Sequence, residues 1–125
     1  MVSTMSAAAV AIPEKILLVE DDQDLLRGLG RRLRSWGYDV VFASDGMTAV
    51  SVARTEHPDL VLLDLGLPAG DGFVVLERYA KLPALCTIPV IVLTGRDRRT
   101  CELTARRLGV AGFLTKPNDN DVLLD

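Results

Sequence analysis

At 125 residues the chain fits one domain and is too short for two separate cores. With 49% apolar and 25% charged residues and a mean hydropathy of +0.26, it is not a wholly disordered protein. The net charge of −3 and pI near 5.1 give no overall basic footprint. The arginine runs (Arg31, Arg32, Arg34; Arg96, Arg98, Arg99; Arg106, Arg107) fall in or beside predicted helices and read as solvated faces, which disfavours direct nucleic-acid binding.

The start, Met1 to Ile12, has an Ala-rich apolar stretch with no basic residue before it, a poor secretory signal. Residues 1–13 are read as a flexible extension, and no segment approaches the length needed to span a bilayer. Cys86 and Cys101 lack metal-ligand spacing and read as reduced, packed thiols. A cytoplasmic location with no membrane contact is expected.

After Pro13, β-branched or Leu-rich runs alternate with helical patterns, the signature of repeated βαβ units. The first predicted strand is Lys15 to Val19. Gln23 to Trp36 follows as an amphipathic helix, with Leu26, Leu29, Leu33 and Trp36 at helical spacing, Asp22 as its cap and Gly37 after it. Strands are predicted at Tyr38 to Ala43, Asp59 to Leu63, Pro89 to Leu93 and Gly112 to Leu114. Helices are predicted at Gly46 to Glu56, Phe73 to Leu82 and Asp97 to Leu108, the last stopping at Gly109. Runs such as Leu60-Val61-Leu62-Leu63 and Val90-Ile91-Val92-Leu93 are apolar on both faces, as strands covered on both sides must be. The expected fold is α/β, a flavodoxin-like doubly wound sheet of five parallel strands in the order 2-1-3-4-5. A fifth helix from Asn118 to Leu124 could make only about two turns. The final covering layer over residues 14–125 is therefore expected to be short, with marginal stability or self-association, such as a homodimer, as the result.

In such a sheet, ligands bind beyond the carboxyl ends of the strands, where strand order reverses. The first and third strands flank that point, and their ends carry Glu20-Asp21 and Asp64. Three neighbouring carboxylates repel by roughly 1 to 4 kcal/mol per pair, so a cation is expected among them. Oxygen-only ligands with room for water suit magnesium. Thr94 ends the fourth strand and Lys116 follows the fifth, adding a hydroxyl and an ammonium on the same edge. That set matches what phosphoryl transfer to a carboxylate needs: charge neutralisation and positioning for in-line attack. Taken singly, each has a blander reading: Glu20-Asp21-Asp22 as a capped turn, Thr94 as an ordinary strand residue, Lys116 as a loop cation. The functional reading rests on their convergence. His57, before Pro58, reads as a structural or solvent-facing residue, since an imidazole at a helix end can bond terminal carbonyls, and not as a catalytic base.

The strings Ile16-Leu17-Leu18-Val19-Glu20-Asp21-Asp22, Asp59-Leu60-Val61-Leu62-Leu63-Asp64-Leu65-Gly66-Leu67-Pro68, Leu93-Thr94-Gly95 and Thr115-Lys116-Pro117 together resemble a two-component response regulator receiver domain, from about Glu14 onward. The resemblance implies that Asp64 accepts the phosphoryl group. It implies that Asp21 holds magnesium directly, Glu20 through water, and Asp64 and the Gly66 carbonyl complete the metal site. Thr94 and Lys116 would contact the phosphoryl oxygens, with Lys116-Pro117 similar to the family's cis peptide. Thr94 and Phe113 would form the switch, and Phe113 has no hydroxyl, so its coupling must rest on packing. Gly66 and Arg96 would modulate phosphoryl lifetime. The implied donor is a phosphohistidine on a sensor histidine kinase or phosphotransfer protein, and the chain would catalyse only its own phosphorylation and dephosphorylation. Two rivals are a receiver-like binding module that is never phosphorylated and an Asp-nucleophile phosphatase. The phosphatase would need a second Asp two residues after the nucleophile, where this chain has Gly66.

Overall fold

A computed structural model of the chain describes residues 14–67, 71–94, 103 and 105–115. Strand β1, Lys15–Val19, begins the sheet, and its side chains alternate between two apolar layers. Leu17 and Val19 enter one core cluster, Ile16 and Leu18 the other. This two-sided burial is why the strand contains no polar residue between Lys15 and Glu20. The same alternation recurs in β3, Leu60–Asp64, where Val61 and Leu63 face one layer and Leu62 the other.

Helix α1, Gln23–Ser35, presents Leu26, Leu29 and Leu33 to the second cluster. Asp22 is its N-cap, accepting the amides of Asp24 and Leu25, which satisfies donors the first helical turn leaves open. Trp36 is the C-cap and is 56% exposed. Strand β2, Asp39–Ala43, follows, then helix α2, Gly46–Glu56, capped by Asp45. Hydrogen bonds from Thr48 hold the Asp45 carboxyl below its ordinary pKa. Helix α3, Asp71–Lys81, begins two residues earlier than its apolar periodicity predicts. Strands β4, Val90–Thr94, and β5, Gly112–Thr115, complete the sheet, with Leu103 and residues 105–107 helical between them.

All strands pair in parallel, in the order β2-β1-β3-β4-β5. The expected doubly wound, flavodoxin-like sheet is therefore the observed one, with the order reversing between β1 and β3. Observed strand bounds fall within one residue of the expected ones, and the shift in β3 makes Asp64 its last residue.

His57 is exposed and caps the end of α2 through its main chain, a structural role as expected: its amide donates to the Ala53 carbonyl, and its φ of 49° is the left-handed cap usually filled by Gly. One residue departs from expectation. Cys86 is an exposed free thiol, because it lies in the turn after α3 and not on a helix face. Cys101, the leader 1–13 and the expected final helix lie outside the described residues. Among the described residues no helix is long and apolar enough to cross a membrane.

Candidate functional site

The carboxyl ends of β1 and β3 meet at the point where strand order reverses. The Glu20 amide donates to the Ala43 carbonyl at 3.0 Å, so the chain is still held to β2 as it leaves β1. Glu20 is 2% exposed, and its Oε2 accepts the Asp22 amide at 3.0 Å. One side chain thus closes the turn that leads into α1, while Asp21 between them stays exposed.

Asp64 is 1% exposed and pairs with Leu93 of β4. Its Oδ1 accepts the Gly66 amide at 2.7 Å, which fixes the carboxylate's rotation. The next amide, that of Leu65, donates to the Leu93 carbonyl at 2.9 Å, and Leu65 and Leu67 are each 1% exposed. Buried leucines therefore hold the loop down on both sides of exposed Gly66.

Glu20, Asp21 and Asp64 each offer a carboxylate oxygen within 4.8 Å of the others. Two of these acids are buried among apolar strands, where like charges are poorly screened. An all-oxygen donor set with one exposed member suits a hard divalent cation that keeps some of its water. The residues present fit such an ion.

Glu20, Asp21 and Asp64, which the sequence placed at one sheet edge, lie together there in the structure. Gly66 lies beside them, and Thr94 ends β4 one residue past Leu93, paired with Thr115 of β5. Phe113 pairs with Val92 and is buried in the larger core cluster. Lys116, Pro117 and Arg96 lie outside the described residues. One neighbour was missed. Gly72, in the first turn of α3, packs against the backbone of Asp64 and Leu65. The available signal was a glycine just ahead of an apolar helical pattern, where a better helix former would be expected.

A family model described as the response regulator receiver domain matches residues 16–125. The chain is 36% identical over 110 residues to protein PilH of Pseudomonas aeruginosa, covering 88% of this chain and 91% of that protein. It is 36% identical over 104 residues to the alkaline phosphatase synthesis transcriptional regulatory protein PhoP of Bacillus subtilis, covering 83% of this chain and 42% of that protein. The chain thus spans most of PilH but less than half of PhoP. Among solved structures, the phosphorylated cyanobacterial phytochrome response regulator RcpA superposes with a TM-score of 0.78 at 34% identity, covering 90% of this chain and 86% of that one. The Mn(2+)-bound form of response regulator Rcp1 gives 0.77 at 32% identity, covering 89% and 86%.

Proposed function

The chain belongs to the response regulator receiver domain family, and on that premise we propose that it is a signalling switch whose Asp64 takes a phosphoryl group from a phosphohistidine in a magnesium-dependent reaction. The observation that carries this reading is the setting of Asp64: buried at a strand end, its rotation fixed by Gly66, within 4.8 Å of Glu20 and Asp21.

Asp21, Asp64 and the Gly66 carbonyl would hold the metal, with Glu20 reaching it through water. When bound, magnesium neutralises the clustered carboxylates and the phosphoryl oxygens. An Asp64 carboxylate oxygen attacks phosphorus in line. The new P–O bond forms as the donor's P–N bond breaks, and the leaving imidazole nitrogen takes up a proton. The Gly66 amide keeps the carboxylate aimed, so little orientational freedom is lost at the moment of transfer. Thr94 and Lys116 would contact the phosphoryl oxygens from the ends of β4 and β5. Thr94 and the buried Phe113 would pass the change to the β4–β5 side of the sheet.

The donor is a sensor histidine kinase or a phosphotransfer protein, the receiver unit is residues 14–125, and the setting is cytoplasmic. The chain acts only on its own acyl phosphate. Arg96 would shield that phosphate from water that the side-chain-free Gly66 admits.

The test is labelling by acetyl phosphate with and without magnesium. Wild type should gain one phosphate only with the metal, and Asp64→Asn none. Equal labelling of Asp64→Asn would assign acceptance to another residue.

A further inference from the structure

Gly72 is buried in the first turn of α3. A Cβ built on it would stand 2.7 Å from the Leu65 Cα, 2.9 Å from the Asp64 carbonyl oxygen and 3.1 Å from the Leu65 carbonyl carbon. All three are main-chain atoms, so no rotamer change makes room. At Gly30, by contrast, an added Cβ would meet the rim of the Phe42 ring at 2.8 Å, and that side chain can move.

Neither partner in the Gly72 contact yields easily. Val75, Leu76 and Tyr79 anchor α3 in the core, each no more than 3% exposed, and the Tyr79 hydroxyl donates to the Ala49 carbonyl of α2 at 2.7 Å. On the other side, Asp64 pairs with Leu93, and the Leu65 amide is bonded to the Leu93 carbonyl. The backbone carrying Asp64 is thus clamped between β4 and the first turn of α3.

We propose that Gly72 is a positioning residue for phosphoryl acceptance: its bare Cα lets α3 close onto the Asp64–Leu65 main chain and sets where the Asp64 carboxylate stands relative to Glu20 and Asp21. This rests on the reading of Asp64 as acceptor. Opening the 2.7 Å contact to an ordinary 3.4 Å moves the acceptor backbone by about 0.7 Å. Misplacement by about 1 Å can cost roughly a hundredfold in rate. Labelling of Gly72→Ala should therefore slow by about tenfold or more.

Stability supplies an independent sign. Alanine is the better helix former, so without this contact Gly72→Ala would raise the Tm. The contact makes it fall.

The experiment measures Tm, the rate of labelling by acetyl phosphate with magnesium, and Mn2+ affinity before phosphorylation. It compares Gly72→Ala with Gly28→Ala, where an added Cβ meets nothing within 4 Å, and with Leu33→Val, which loosens the core of the opposite layer. Each is made in wild type and in a His57→Gly background, chosen to offset lost stability by removing left-handed strain. Gly72→Ala should show lower Tm, slower labelling and weaker Mn2+ binding. Gly28→Ala should match wild type in labelling and Mn2+ binding, and Leu33→Val should lose Tm alone. A Gly72→Ala protein with raised Tm, or with wild-type labelling and Mn2+ affinity, overturns the proposal. The acceptor reading fails separately, on labelling of Asp64→Asn at wild-type yield.

Discussion

Gly66 donates its amide to Oδ1 of Asp64 at 2.7 Å while itself lying exposed, so the residue that aims the buried acceptor has no side chain to cover a phosphoryl group added to it. A Cβ at position 66 would stand 3.1 Å from that same oxygen. Nothing on Gly66 can shield a phosphoryl group, and cover must come from elsewhere. With Arg96 in that role, Arg96→Ala should shorten the phosphoaspartate half-life severalfold, the effect of losing about 1 kcal/mol of surface contact. Decay can be followed by loss of radiolabel, and an unchanged or longer half-life would remove Arg96 from the account.

Removing one buried charge from the acidic cluster should stabilise the metal-free protein. Asn at 64 keeps an oxygen to accept the Gly66 amide and loses the repulsion from Glu20 and Asp21. Asp64→Asn is expected to gain on the order of 1 kcal/mol in metal-free buffer. Magnesium should raise the Tm of wild type much more than that of the variant. Thermal melts with and without the metal check both signs, and a variant less stable than wild type in chelator would contradict them.

The Tyr79 hydroxyl donates to Ala49 O from a residue 3% exposed, and burial pushes its pKa well above the ordinary range. Tyr79→Phe removes the hydroxyl's hydrogen bond, while the Ala49 carbonyl keeps the i+4 amide bond of helix α2. The expected cost is about 0.5 to 1.5 kcal/mol, measured by urea unfolding. A change near zero would mean that water replaces the hydroxyl.

His57 holds φ at 49°, where a Cβ is strained and glycine is not. His57→Gly should raise stability by about 1 kcal/mol, again read from urea unfolding. A loss would show that the imidazole makes a compensating contact.

Much of this was legible in the sequence because the chemistry lies in local strings. Leu60 to Leu63, between helical patterns, reads as a strand covered on both sides, and an acid at the end of such a strand stands at the binding edge of a parallel sheet. Helix α1 was legible because its cap, apolar stripe and terminal Gly37 agree. What escaped were relationships between distant residues and features set by the main chain. The start of α3 was read too late because its apolar pattern begins only at Phe73, and only packing on Asp64 and Leu65 explains a glycine inside the first helical turn. Tyr79 and Ala49 stand thirty positions apart, with no periodicity linking them. The left-handed cap at His57 replaces the glycine signal by which such stops are recognised.

The most direct test of the central claim is chemical trapping of the acyl phosphate. The protein is incubated with acetyl phosphate and magnesium and then reduced with borohydride, which converts a phosphorylated aspartate to homoserine. Peptide mass spectrometry should find homoserine at position 64 and aspartate intact at 21, 22 and 59. Homoserine at any of those positions with Asp64 unchanged, or no trapped residue in protein shown to be phosphorylated, would contradict the assignment of Asp64 as the acceptor.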